Sequence, residues 1–212
     1  MTKPIRLHGM VGLCIGVPSG AFAAALMKHG AFGMTPFYSV SLSLRQTFGL
    51  LSMGTWNSVF QVCLILALCV ILRKAKPMYI FSFLVAAAAG VILDGFNILC
   101  ALLPETLPVR IACFGVGFVF MSVAISFCAE CKMPVAPMNL FVRELAEYLG
   151  KPFHSIKLYF DIGCLLLSVT VSLVFARQLF GIGVGTLIGA FFQGPLSGVF
   201  IRAIRRNLEF YK

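Results

Sequence analysis

Apolar runs broken by charge, Pro and Gly mark six candidate spans near 7–27, 54–72, 78–102, 108–129, 155–176 and 181–203. Each is close to the roughly 20 residues a helix needs to cross the hydrocarbon of a bilayer. Two shorter segments, Thr35 to Gly49 and Ala136 to Gly150, follow the first and fourth spans. The first of them alternates as Ser39-Val40-Ser41-Leu42-Ser43-Leu44, a strand pattern on its own. Its counterpart decides otherwise, because Met138, Phe141, Leu145 and Leu149 share one helical face and Arg143 and Glu147 stand at i,i+4. The matching Phe37, Val40, Leu44 and Phe48 are also apolar, so both segments are read as short helices with Pro at the first position and Gly just past the end. Two placements are open: flat on the membrane interfaces, which is the favoured expectation, or re-entrant half-helices aiming their positive ends at an anion. The expected class is all-α, a polytopic helical membrane protein.

The chain also repeats itself. Thr35-Pro36 recurs as Ala136-Pro137 and Gly49 as Gly150 at an offset of 101, while Phe60-Gln61 recurs as Phe160-Asp161 at 100. Gly90, Asp94 and Gly95 recur as Gly189, Gln193 and Gly194 at 99, so single deletions in the connections reconcile every match. The repeats run from about 7 to 103 and from about 108 to 203, within one integral membrane domain over 1–212. Three spans per unit is an odd number, so the second unit enters from the opposite side. Inverted repeats place a pseudo-two-fold axis in the membrane plane and a site between the units at mid-membrane.

Composition agrees with this reading: 60% of residues are hydrophobic, 11% are charged and mean hydropathy is +0.99. A water-exposed surface is excluded, and six spans leave no room for a separate soluble domain. The net charge of +10 is no nucleic-acid footprint, because the basic residues sit in short runs between spans. With the N-terminus cytoplasmic, twelve of them (Lys3, Arg6, Arg73, Lys74, Lys76, Lys132, Arg143, Lys151, Arg202, Arg205, Arg206 and Lys212) fall inside. Only Lys28, Arg45, Arg110 and Arg177 fall outside, so both termini are expected in the cytoplasm of a bacterial inner membrane. Tyr38, Tyr79, Tyr148 and Trp56 are read as interfacial anchors. The start of the chain also fits a secretory signal, but the ladder Gly12, Gly16, Gly20, Ala24 argues for a retained span built for close contact, with a helix of this chain or of another. The cysteines serve mainly as small hydrophobes, and the single C-x-x-C, Cys128 and Cys131, has no His nearby to complete a metal site. No metal or other cofactor is expected.

Polar groups within spans are functional hypotheses by default. Ala86, Gly90 and Asp94 form a four-residue-spaced stripe on the third span, matched by Gly185, Gly189 and Gln193 on the sixth. Asp94 has no basic residue at i±3 or i±4 and is placed at the centre of the expected site, with Asn97 one turn away. Asn57 and Gln61 share a face of the second span, and Lys157 and Asp161 form an i,i+4 ion pair on the fifth. These seven residues, Asp94, Asp161, Gln193, Gln61, Asn57, Asn97 and Lys157, are the candidate substrate-binding set. Each also has a structural reading, as a packed or hydrogen-bonded group between helices. His154, near a span boundary, is read as solvated rather than as a proton carrier.

No G-x-S-x-G elbow, H-E-x-x-H pair or phosphate-binding Gly-rich loop occurs, and Gly194-Pro195-Leu196-Ser197-Gly198 lacks a His in the late spans to serve as base. An enzyme is not expected and no catalytic residue is assigned. The Pro after the first span, Gly-Leu-Leu-Ser-Met-Gly-Thr from Gly49 to Thr55 and Gly181-Ile182-Gly183-Val184-Gly185-Thr186 together resemble the YczE-like bacterial integral membrane proteins, related loosely to the YitT group. The usual G-L-S-x-G-T is here longer by one Leu. That resemblance implies a multi-spanning, transporter-like protein of a bacterial inner membrane and supplies no site residues. Two functions are carried forward. One is a carrier or channel for a small solute or ion, alone or as a homo-oligomer. The other is a substrate-capture or accessory subunit, similar in size to the S-components of energy-coupling-factor importers.

Overall fold

The structure, a computed structural model, describes residues 5–73, 78–131, 136–178 and 180–211. Among these the chain forms α1 (Gly9–Gly30), α2 (Pro36–Phe48), α3 (Met53–Leu72), α4 (Met78–Cys100), α5 (Leu107–Glu130), α6 (Pro137–Leu149), α7 (Phe153–Val171), a π-helical turn over Ser172–Ala176 and α8 (Val184–Asn207). Six of the eight α-helices, all but α2 and α6, are long and apolar enough to cross a membrane, so this is an all-α, multi-pass membrane protein. Lys3, Lys74, Lys76, Lys132 and Lys212 of the charge argument, and the side chain of His154, lie outside the described residues. The apolar side chains left exposed, among them Val70, Ile80, Val91, Leu166 and Phe191, point outward, as contact with lipid requires.

Two four-residue strands were not signalled by the sequence. β1 (Ile5–His8) and β2 (Leu208–Tyr211) pair in parallel, which puts both chain ends on one face of the bundle, the terminal face. Each is too short to carry a two-residue period, and each finds its partner only across the whole chain. Phe210 anchors the pair by burying its ring edge-on to Phe127.

At the centre, α1 packs along α5. Cβ atoms added at Gly12, Gly16 and Gly20 would meet Cys131, Cys128 and Ala124, while those at Gly117 and Gly30 would meet Leu26 and Phe114. Contact numbers that rise along one helix fall along the other, so the two run antiparallel. The small-residue ladder is therefore used within the chain, and Cys128 and Cys131 are part of its packing surface. The close approach lets dispersion act over the length of both helices. α4 lies against α1, with Phe22 and Phe96 rings 5.1 Å apart, and α8 lies against α5. α2 lies between α7 and α3, and α6 between α3 and α7.

The short helices depart from the favoured expectation. Both begin at Pro and end at a left-handed glycine, Gly49 (φ 63) and Gly150 (φ 62), as the sequence required. They do not lie flat. An interfacial helix would expose its polar side, yet Ser39, Ser41 and Ser43 of α2 and Asn139 and Glu144 of α6 are buried. The first half of each helix is covered or nearly covered all round and the last turn is exposed. Phe37 stacks 5.6 Å from Phe60, seven residues or about 10 Å into α3, and 6.4 Å from Phe160 of α7. At its other end, Phe48 meets Phe175 and Trp56 near the bundle surface. α2 thus starts deep among the long helices and returns to the face opposite the termini. The start of α6 lies equally deep, beside Gln61 and Ala89, and its course ends near the start of α7 on the terminal face. Tyr38 is consequently no interfacial anchor but lies at the deep end of α2, and Tyr79 is buried against α6 rather than turned to a headgroup.

Candidate functional site

An α-helix leaves its first N–H groups without intrahelical acceptors, and a side-chain cap normally takes one of them. Neither α2 nor α6 has such a cap: Thr35 makes no side-chain bond to its helix and Ala136 has no group with which to do so. Both open N-termini face small cavities. The first, about 50 Å³, lies where Ala136, Met138 and Asn139 of the α6 start meet Gln61 of α3, Ala89 of α4 and Gly16 and Gly20 of α1. The second, about 20 Å³, lies where Thr35 and Pro36 meet Lys157 and Asp161 of α7 and Gly189 and Gln193 of α8. Phe37, Tyr38, Met121, Ile125 and Met138 line both and form the wall between them. A water needs roughly 10–15 Å³ of such space, so these hold a few waters and the site is closed to anything larger in this conformation.

The polar side chains around the cavities are unusually short of partners. Gln61 is 2% exposed and its Oε1 accepts no hydrogen bond. One turn away Asn57, 1% exposed, has neither Oδ1 nor Nδ2 paired. Gln193, 7% exposed, donates through Nε2 to Ser122 Oγ at 2.7 Å and leaves Oε1 unpaired. Burying such groups without bonds costs about 1–3 kcal/mol each, so water in the cavities or a polar ligand is needed to pair them. Lys157 and Asp161 do pair with each other, and the Lys157 ammonium sits 5.6 Å from the centre of the Phe160 ring.

Asp94 is placed elsewhere. Ser52 caps α3, its Oγ accepting from Thr55 N–H at 3.0 Å, and its hydroxyl donates to Asp94 Oδ2. Gly54 N–H donates to Asp94 Oδ1 at 2.8 Å. The carboxylate expected to stand unpaired in mid-span therefore sits against the positive end of α3, near the face opposite the termini. Sequence spacing along its own helix did not reveal this partner, which belongs to a different one. Asn97 is part of the same region, accepting from Lys28 Nζ at 3.1 Å. Of the seven candidates, the structure gathers Gln61, Lys157, Asp161 and Gln193 around the cavities, keeps Asn57 a turn away and separates Asp94 and Asn97 from them.

A serine row escaped the sequence reading. Ser39 Oγ donates to Gly181 O at 2.9 Å, and Ser43 Oγ bonds to Phe180 O at 3.2 Å and to Ser168 Oγ at 2.6 Å, with Ser172 donating to it at 3.0 Å. These bonds fasten α2 to α7 and to the loop before α8. The i,i+4 spacing of Ser39 and Ser43 was the available signal, hidden by the alternation with Val and Leu. Gly33 holds the entry to α2 in place: at φ +118 it lies so close to Thr186 and Gly183 that a Cβ would come within 2.5 Å of Thr186 Oγ1.

A model of a family described as "Family of unknown function (DUF6198)" matches residues 7–202, a range that holds all the residues lining the two cavities. The chain belongs to the DUF6198 family. Among the proteins similar to this DUF6198 chain is "Uncharacterized protein YyaS" of Bacillus subtilis (strain 168), 23% identical over 198 residues, which cover 91% of this chain and 92% of that protein. No solved structure matches the chain.

Proposed function

We propose that this protein is a small-solute carrier or channel of a bacterial inner membrane, with both termini cytoplasmic and a site at the centre of two inverted repeats. The observation that carries the reading is the meeting of two uncapped helix N-termini deep in the bundle, each beside a cavity lined by a buried, under-bonded amide. Non-helical backbone at membrane depth is tolerated where it lines a cavity or a path, and broken helices of this kind hold substrates in carriers.

The repeat gives the two cavities a common origin. Thr35 of the second cavity corresponds to Ala136 of the first, and Asp161 of the second to Gln61 of the first, at the offsets of 101 and 100. The antiparallel packing of α1 on α5, the equivalent first helices, is what a two-fold axis in the membrane plane would produce. Under this reading the wall of Phe37, Tyr38 and Met138 shifts as the units rock, opening the cavities in turn. The YczE-like resemblance belongs with the same proposal. A capture subunit is supported less well, since a pocket for a cofactor-sized ligand takes about 300–1,000 Å³, far more than the 50 Å³ and 20 Å³ found.

The test is uptake into proteoliposomes holding only this chain. Flux above that of empty liposomes supports a carrier or channel. Flux that appears only when an ATPase module is added moves the assignment to the accessory class.

A further inference from the structure

We propose that the solute is a small monovalent anion, of the size of a halide, formate or nitrate, bound in the cavities at the N-termini of α2 and α6. The inference rests on the transport reading and names its substrate class. Each N-terminus carries about half a positive charge together with free N–H donors. Pro36 and Pro137 fix the start of each helix and contribute no N–H, so the first available donors are the amides of Phe37 and Tyr38 on one side and Met138 on the other. All three residues line the cavities.

The remaining charges leave that positive potential standing. Lys157 and Asp161 neutralise one another, Asp94 is taken up by the start of α3, and among the described residues no other acidic side chain lines either cavity. A cation would therefore face two helix N-termini with no free carboxylate to hold it. The amides add the second, independent indication. Gln61 and Gln193 are more than nine-tenths buried, line the first and second cavity respectively and each leave the amide oxygen Oε1 without a partner, so neither amide is locked in its present orientation by that atom. The Gln61 amide turns its NH₂ to an anion by rotation about its last torsion, and Gln193 does the same when the Ser122 hydroxyl swings from Phe118 O, to which it now donates, to Gln193 Oε1. Size follows from the cavities: space for a few waters admits an ion of a few heavy atoms and excludes sugars, amino acids and nucleotides.

The experiment uses the full chain in liposomes and compares chloride, nitrate and formate with potassium, methylammonium, urea and glycerol. The expected result is anion flux at least tenfold above empty liposomes, with the cations and neutral solutes at background. Gln61→Glu, which sets a negative charge at the first cavity, should lower anion flux at least tenfold. Gln61→Leu serves as the second variant, and its flux should also fall because an NH₂ donor is lost. Thermal melting in detergent with and without 100 mM sodium nitrate, against sodium gluconate, reads binding apart from flux: the parent should be stabilised by nitrate and Gln61→Glu should not. Flux of potassium, methylammonium, urea or glycerol without anion flux overturns the anion assignment and leaves the carrier reading in place. No flux of any solute and no nitrate-dependent shift overturns both.

Discussion

A carboxylate inside a helical membrane protein needs partners, and Asp94 finds them in the Gly54 amide and the Ser52 hydroxyl at the start of α3. Asp94→Asn should therefore act first on stability: the loss of a charged acceptor at a helix N-terminus costs about 1–2 kcal/mol. A lower melting temperature in detergent with flux per folded molecule unchanged is the expected outcome; flux abolished at an unchanged melting temperature would return Asp94 to the solute path. Ser43 is the corresponding test for α2. Ser43→Ala removes its bonds to Ser168, Ser172 and Phe180 and should destabilise by about 1–2 kcal/mol, read as a lower melting temperature. The polar residues themselves were legible in the sequence, because intramembrane Asp, Gln and Asn are rare. Their partners were not, since Gly54 and Ser52 meet Asp94 only once α3 lies against α4.

Helices announce their own ends and length, and less of their neighbours. Pro at the start and Gly at the end bounded α2 and α6 within a residue, and the six long apolar runs became six long helices. Depth was another matter. A short amphipathic helix has the same sequence pattern on a membrane surface as in a protein interior, where other helices rather than water cover its polar side. The two glycine stripes show the same division. Small residues at four-residue spacing permit close packing, and Gly90 uses it: a Cβ there would lie 2.2 Å from Ser58 Oγ and 2.6 Å from Gly54 O. Gly90→Leu should force α3 and α4 apart and cost about 1–3 kcal/mol or more, visible as a lower melting temperature. Gly189 differs, as its nearest neighbour would be Thr35 Cα at 4.0 Å and it borders the second cavity. Gly189→Ala should narrow that cavity, lowering flux while the protein melts close to the parent.

At the scale of the molecule, an even number of spans and the pairing of β1 with β2 put both ends on one face. Reporter fusions after Lys28, Lys76, Arg110, Lys151, Arg177 and Lys212 should alternate between sides, beginning outside, because the basic residues collect on the termini's side. Two successive fusions on one side would remove the inverted repeat. The bidentate pair of Arg205 with Glu130, at 2.8 and 2.9 Å, ties α8 to α5 near the same face. It is too exposed to contribute more than about 1 kcal/mol.

The sequence by itself determined the solvent this chain folds in, the number and extent of its spans and the Pro and Gly ends of its short helices. Those features depend on hydropathy and on backbone preferences that act within a few residues. Tertiary structure alone decided that α2 and α6 turn inward, that Asp94 closes on the start of α3 and that Gln61 and Gln193 border cavities while Asn57 remains unpaired. Each of these depends on which groups, far apart in the chain, come within a few ångströms once α1 and α5 have packed. Hydrogen bonding and burial act at that range, and spacing along a single helix does not encode it.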